Sequence, residues 1–463
     1  MPAAFLLRRT RARLYKVFYG YLCCDALSEI EVLPKYAVSK FMLQPIKIMF
    51  TFAHKISIDM IRKPLLKDRH NHLFSYGSLA KATDLFKVRT EEEAIKMLSQ
   101  LPHDRINVAM GWFDSYFTFS KENLDKLPPI IICNNSLHNY IFNTEAGKVV
   151  EEKYNEWFTN CHNQEWIERN TMQVLTFIAG IFGFNREIFD YNIKKNLSLG
   201  VCFAADMYVC NNDIFEFLAT NDCSDITEVW TSPQNNPLLP DRYKKVCRGV
   251  KLFADGACGA STAAIAEYRN GGKPFMTYTD AQLTELLEQI IQYRTAMAIH
   301  CIGENAIEQV LNCLDGVLRH SPDTFIRLEH TQFITEKQAM KAHDLNLTLS
   351  MQPNFNMDSI DYADRLTKAY CERNDPFRML IDKAGFRPGE NLVLGSDGMP
   401  TGVFGSLQAS LFPPVPGQRL TLDEYVAGYC TDNFDKGHIE VEIDNANRKV
   451  EIKKIETFCP LEK

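Results

Sequence analysis

The chain lacks any apolar run approaching the ~20 residues that a membrane-spanning helix needs, so no integral span is expected. It also lacks a surplus of positive charge: 51 basic residues stand against 58 acidic ones, a net charge of −7. A mildly acidic chain has no general pull toward nucleic acid or anionic lipid, and neither is an expected partner. Among its fourteen cysteines no two stand in a Cys-x-x-Cys arrangement, which argues against zinc knuckles and thioredoxin-type redox motifs. Scattered cysteines in a chain of 463 residues read as buried thiols in a reducing compartment, and the cytoplasm is the expected location. There is no internal repeat and no low-complexity tract. What is present is ordinary globular composition, 46% hydrophobic and 24% charged, enough to bury a large core.

The organisation changes along the chain. Residues 1–44 read as a basic helical segment, with Arg8, Arg9, Arg11, Arg13 and Lys16 before the first acid, Asp25. The favoured reading packs Phe5, Leu6, Leu14 and Phe18 onto the body; the alternative is a peptide targeting the chain to an organelle. Residues 45–60 alternate as a strand pair would, and Ile439, Val441 and Ile443 followed by Val450 and Ile452 read as a hairpin around Asp444-Asn445-Ala446-Asn447. These suggest a small β subdomain from 45–63 and 431–463. Between them, short apolar runs alternate with amphipathic helices. Four helix starts carry a Thr-x-x-Glu/Gln capping box, at Thr90, Thr279, Thr335 and Thr421. Leu283, Leu286, Leu287, Ile290 and Ile291 share one helix face, and Ile307, Val310, Leu311, Leu314 and Leu318 share the next. Strand-like runs flank them at 296–299 and 325–328. This strand–helix rhythm of about thirty residues predicts an α/β fold, a parallel sheet or (β/α)8 barrel over 64–430. The stretch 85–195 fits the rhythm poorly and reads as a helical insertion.

The polar residues that end the apolar runs carry the chemistry. Pro64-Leu65-Leu66-Lys67 leads to Asp68-Arg69-His70-Asn71-His72; Lys251 lies within Val250–Phe253; 296–299 ends at His300, Ile326–Glu329 at His330, and Leu392–Ser396 at Asp397. Two histidines at i and i+2 on a strand end point to one side, so His70 and His72 can chelate one ion. Singly each residue has a bland alternative: Lys251 an ion-pair partner, Asp397 a helix cap. Their joint order at the C-terminal rim of a barrel points to a metal site.

That order resembles the amidohydrolase superfamily of metal-dependent (β/α)8 hydrolases, and the local wording is similar to its exoenzyme-regulatory-type and N-substituted formamide deformylase-like branch. The stretches that carry the likeness are Asp68-x-His70-x-His72, Val250–Gly256, His300–Ile307, Arg327–His330, Gln352-Pro353 and Leu394–Asp397. Leu199-Gly200-Val201 with Asp206, and Ser136-Leu137-His138 with Asn143, fit more loosely. The resemblance implies a TIM-like barrel with a small, possibly reduced β-sandwich from the chain ends. It implies one or two divalent ions, zinc first, held by His70, His72, Lys251, His300, His330 and Asp397, with Lys251 carbamylated by carbon dioxide. Asp397, Lys251 and His300 become the candidate catalytic residues, Asp397 as proton shuttle. His138, Glu304 and Asp255 become candidate substrate contacts, although His138 also reads as a structural imidazole, Asp255 as support behind the metal ligands or a turn, and Glu304 as a group that orients His300 or a charge suited to a helix N-terminus. The implied reaction is hydrolysis of an amide-like C–N bond in a small N-acyl or N-formyl amine, and a homo-oligomer is compatible with it. Two other readings stay open: a zinc deaminase-like enzyme, against which Lys251 argues, and an inactive barrel with a binding or regulatory role.

Overall fold

The structure is a computed structural model that describes residues 60–79, 81–113, 116–134, 139–320, 323–431 and 433–458. The expected basic segment 1–44 and all of the strand pair 45–60 except Met60 lie outside the described residues. Eight strands form one parallel sheet in chain order: β1 (Leu66–Asn71), β2 (Val201–Asp206), β3 (Thr227–Thr231), β4 (Cys247–Phe253), β5 (Ala296–Cys301), β6 (Ile326–His330), β7 (Thr348–Met351) and β8 (Leu392–Leu394). The sheet curls until its ends meet. The amides of Ser396 and Asp397, just past β8, donate to His70 O in β1 at 3.2 and 2.7 Å. The buried Asp68 carboxylate reinforces this seam, accepting from Ser396 N at 2.9 Å, Asn71 Nδ2 at 2.9 Å and the Ser396 hydroxyl. Gly395 permits the approach, because a Cβ there would stand 2.3 Å from His70 N. The result is a nearly closed (β/α)8 barrel.

The core follows the sequence pattern. Leu283, Leu287 and Ile290 of helix Asp280–Gln292, and Ile307, Val310, Leu311 and Leu314 of helix Glu304–Leu318, are fully buried against Met297, Ile299 and Leu328. Strands covered on both faces read as unbroken apolar runs, which is why alternation is weak here. The capping boxes at Thr279, Thr335 and Thr421 close in both directions. At Thr90 only half forms: its hydroxyl takes the Glu93 amide, while Glu93 reaches back to Arg89 N. Among the described residues no helix is long and apolar enough to cross a membrane.

The stretch expected as helical differs in its first part. Thr83–Asp84, Asn107–Trp112, Ile130–Asn134 and Tyr140–Phe142 form a four-stranded sheet, parallel except for the last strand, and helices follow only from Thr144. Ile131 and Cys133 face one buried cluster while Ile130 and Ile132 face another. Apolar residues on both faces erase the period-two signal that would have marked the strand. Elsewhere the hairpin Gly437–Asp444 and Lys449–Thr457 pairs antiparallel, and Ile61–Pro64 adds to its other side. Among the described residues this is a single three-stranded sheet.

Candidate metal centre

Each site residue is delivered by a strand end. His70 and His72 leave β1, Lys251 faces inward from β4, His300 ends β5, His330 ends β6, and Asp397 follows β8. The side-chain donors of His70, His330 and Asp397 all lie within 4.8 Å of one another. Asp397 Oδ1 stands 3.4 Å from His70 Nε2 and 3.2 Å from His72 Nε2. The His300 and His330 rings adjoin with centroids 4.5 Å apart. Asp397 (φ 57°), His330 (φ 70°) and the β-branched Thr331 (φ 47°) all hold left-handed backbone, a strained arrangement concentrated at this rim. The amide of Thr331 is pinned to Cys301 O at 3.0 Å, and that of Asp397 to His70 O.

The surrounding groups fix which nitrogen each ring presents. His70 Nδ1 contacts Glu329 Oε2 at 2.6 Å, and His330 Nδ1 contacts Gln352 Oε1 at 2.7 Å. A carboxylate and an amide oxygen can only accept, so both rings carry their proton on Nδ1 and turn a free Nε2 to the centre. Burial, assisted by Lys251 beside His70 and by His300 beside His330, holds both imidazoles far below the ordinary titration range. They stay neutral and able to ligate. Burial would raise the Asp397 carboxyl, but the hydrogen bond from His72 and the charge of Lys251 oppose it, and the carboxyl is held below its usual value. Lys251 is 1% exposed, and its amine has no hydrogen-bond partner. Burial lowers it to about 8, against the opposing pull of Glu329 and Asp397. His72 Nδ1 is likewise buried and unpartnered. Two neutral imidazoles, a low-pKa carboxylate and two orphaned nitrogens in one buried cluster fit a nitrogen- and oxygen-ligated divalent ion.

Three of the expected substrate contacts need separate report. Asp255 is turned toward backbone amides. Both its oxygens are taken by backbone amides, of Ala264 and Gly303 at 2.9 and 2.8 Å and of Ile302 at 2.9 Å. It ties the loop after β4 to the start of helix Glu304–Leu318 and stands 3.4 Å from His300 Nε2, which also contacts Gly256 O at 3.0 Å. Both Asp255 oxygens are thus engaged by backbone, with the His300 ring beside them. Glu304, at the first position of its helix, turns to the Tyr370 hydroxyl, Arg373 at 3.0 Å and Ala266 N at 3.2 Å. His138 lies outside the described residues.

The structure also brings in residues to which the sequence reading assigned no role. Glu329, fully buried, touches His70 and Arg327. Arg327 packs its guanidinium 5.1 Å from the Trp230 ring and donates to Arg69 O at 3.0 Å. Asp206 accepts from Phe74 N at 2.7 Å and Tyr208 N at 3.1 Å, anchoring helix Leu73–Leu79 and its Tyr76, whose ring stands 5.9 Å from that of His72. An ionisable residue inside an apolar run, as in Ile326-Arg327-Leu328-Glu329, was the available signal for the first two.

Comparison with known proteins agrees with this geometry. Residues 218–410, the span from the helix before β3 to the helix after β8, match the model of the Amidohydrolase family. The "Putative amidohydrolase YtcJ" of Bacillus subtilis (strain 168) is 29% identical over 140 residues, 29% of this chain and 26% of that protein. Protein LONG AFTER FAR-RED 3 of Arabidopsis thaliana is 26% identical over 156 residues, 32% of this chain and again 26% of the relative. The matched stretch thus spans about a quarter of these curated relatives. Among solved structures, an uncharacterized metal-dependent hydrolase from Pyrococcus furiosus superposes with a TM-score of 0.60 at 19% identity, covering 80% of each chain. At that identity the likeness shows the shared fold.

Proposed function

We propose that this amidohydrolase-type barrel is a metal-dependent hydrolase of amide-like C–N bonds, acting on small N-acyl or N-formyl amines in the manner of the formamide deformylase-like branch. The observation that carries the reading is Asp397: a largely buried carboxylate held ionised within reach of the Nε2 atoms of both His70 and His72. Nε2 of His70 and His330 together with Asp397 would hold the first ion, with His72, His300 and Lys251 available to complete one or two sites; imidazole and carboxylate donors suit zinc. Such an ion supplies Lewis acidity, polarising a substrate carbonyl and making a water easier to deprotonate.

The chain's own residues do the rest. Asp397 accepts a proton from the attacking water as its oxygen bonds to the carbonyl carbon, then returns it to the nitrogen as the C–N bond breaks, leaving a carboxylic acid and an amine. The Glu329–His70 and Gln352–His330 contacts keep both rings in the ligating tautomer. Lys251, with its amine lowered to about 8, has a neutral fraction near neutral pH that can add carbon dioxide and shed a proton. The resulting carbamate would replace a cation by an anion where a bare ammonium would repel bound dications. The deaminase alternative places a glutamate shortly after the β5 histidine at the reacting centre, and Glu304 is engaged by Tyr370 and Arg373. The buried free thiols of Cys133, Cys223, Cys258, Cys301 and Cys313 fit a reducing compartment such as the cytoplasm.

The test begins with elemental analysis of protein expressed with added zinc, followed by a screen of N-formyl and N-acyl amines. The expected outcome is at least one stoichiometric ion and turnover that is lost on chelation and restored by zinc. Full turnover in chelated protein would overturn the reading.

A further inference from the structure

Beyond the rim centre, the loops above β6 and β7 hold a second group of acids that the proposed hydrolysis does not use. Asp375, between helices Lys368–Arg373 and Phe377–Asp382, is 0% exposed, and neither of its carboxylate oxygens has a hydrogen-bond partner. It forms no ion pair within the described residues. Its backbone is fixed in left-handed conformation (φ 47°), with its amide on Gln332 O at 2.9 Å and its carbonyl taking Phe377 N at 2.7 Å. The acid is therefore held in place and not displaced into a void. Gln332 links it to a second carboxylate: Gln332 Nε2 donates to Asp358 Oδ2 at 2.9 Å and to Asn374 Oδ1 at 3.1 Å. Asp358 also lacks an ion pair within the described residues, and part of it reaches solvent, leaving an ion a way in. Burial raises both carboxyls, and the charge of Asp358 raises Asp375 further.

We propose that Asp358 and Asp375 form a second cation site, separate from the rim centre, for a hard divalent ion such as calcium. A native fold rarely leaves a fully buried carboxylate with both oxygens unsatisfied. Among the described residues no donor meets either oxygen of Asp375, so an ionised Asp375 calls for a cation beside it. Two carboxylates with amide oxygens nearby supply two negative charges and only oxygen donors, the chemistry of calcium and magnesium, with water completing the shell. Burial pushes the thiol of Cys258, which contacts Gln332 Oε1 at 3.7 Å, well up, so it stays protonated and adds no soft ligand. An ion here would brace the loop carrying Phe355, whose ring stacks on His330 at 6.1 Å, and the segment beginning two residues beyond His330.

The experiment uses the full chain, zinc-loaded and without chelator, in equilibrium dialysis against radioactive calcium with melting temperature measured in parallel. The expected result is one equivalent of calcium bound with no loss of zinc, and a melting temperature raised by several degrees. Asp375→Asn is expected to lose both the binding and the calcium-dependent shift. Asp358→Asn is the second variant and should lose the binding also. Absence of calcium binding and of any shift with millimolar calcium or magnesium in the parent would overturn the proposal. So would calcium that displaces zinc, or binding retained in both variants.

Discussion

Asp397 is the residue on which most of the proposed chemistry rests. Its left-handed backbone and the hydrogen bond from its amide to His70 O aim the carboxylate at the histidines, so a substitution at this position probes function more than fold. Asp397→Asn keeps the shape and one oxygen but cannot accept a proton. Turnover should fall by about 10²–10⁴-fold with melting temperature and histidine-bound metal largely kept. A variant as active as the parent would remove Asp397 from the mechanism. Glu329 and Gln352 are expected to act through the rings they orient: Glu329→Gln and Gln352→Leu should each weaken zinc binding by roughly 10–100-fold in competition with a chelating dye. Glu329→Gln should be the costlier of the two for stability, because it also deprives buried Arg327 and Lys251 of their anion. Unchanged affinity in both would show that the rings are held by packing alone. The convergence of His70, His330 and Asp397 was foreshadowed in the sequence because each ends an apolar run. Asp255 and Glu304 show the limit of the pattern: sequence places an acid near the rim but not which way it turns, and here backbone amides engage Asp255 and Arg373 engages Glu304.

Among the elements, the seam between β1 and β8 is the place where the barrel closes, and Asp68 is its charged tie. Burial raises its carboxyl from 3.8 to about 6 even though Ser396, Asn71 and His70 donate to it. The folded protein thus holds that proton more tightly than the unfolded chain does. Between about pH 4 and 6 the unfolded chain ionises first, so this group's contribution to stability falls as pH rises through that window and is level above it. The difference corresponds to roughly 3 kcal/mol. Urea unfolding should show a larger drop in midpoint between pH 4.5 and 7 for the parent than for Asp68→Asn, and parallel profiles would contradict it. The helices were legible in sequence to their first turns, because a capping box records a local bargain between side chain and backbone. Strands Asn107–Trp112 and Ile130–Asn134 were not, because a strand that buries both faces against separate clusters leaves no periodic trace. Asp68 itself stood in the motif, but its partner Ser396 is 328 residues away, and no local pattern announces such a pair.

For the whole molecule, the decisive long-range feature is the clasp between Ile61–Pro64 and the C-terminal hairpin. Ile61 pairs with Val441, and Arg62 bonds Glu440 across a separation of 378 residues at 2.9 Å. The exposed ion pair adds little in water; the apolar side of the sheet does more. Ile439 and Val441 are 2% and 1% exposed and belong to the same buried cluster as the barrel. Gly200, at the entry to β2, makes room for Ile439: a Cβ there would come within 3.1 Å of its side chain. The hairpin therefore covers the chain's return into the barrel. Ile439→Ala should cost about 2–5 kcal/mol, the usual range for emptying a buried aliphatic site. Ile443→Ala, half-buried on the same strand, should cost clearly less. Because Ile439 lies far from the rim in the chain's contacts, metal bound per folded molecule should be unchanged in both. Urea midpoints measured beside zinc content would decide the matter. Equal costs would mean that the sheet is an appendage, and loss of zinc from folded Ile439→Ala would mean that the clasp, and not the barrel alone, sets the geometry of the metal centre.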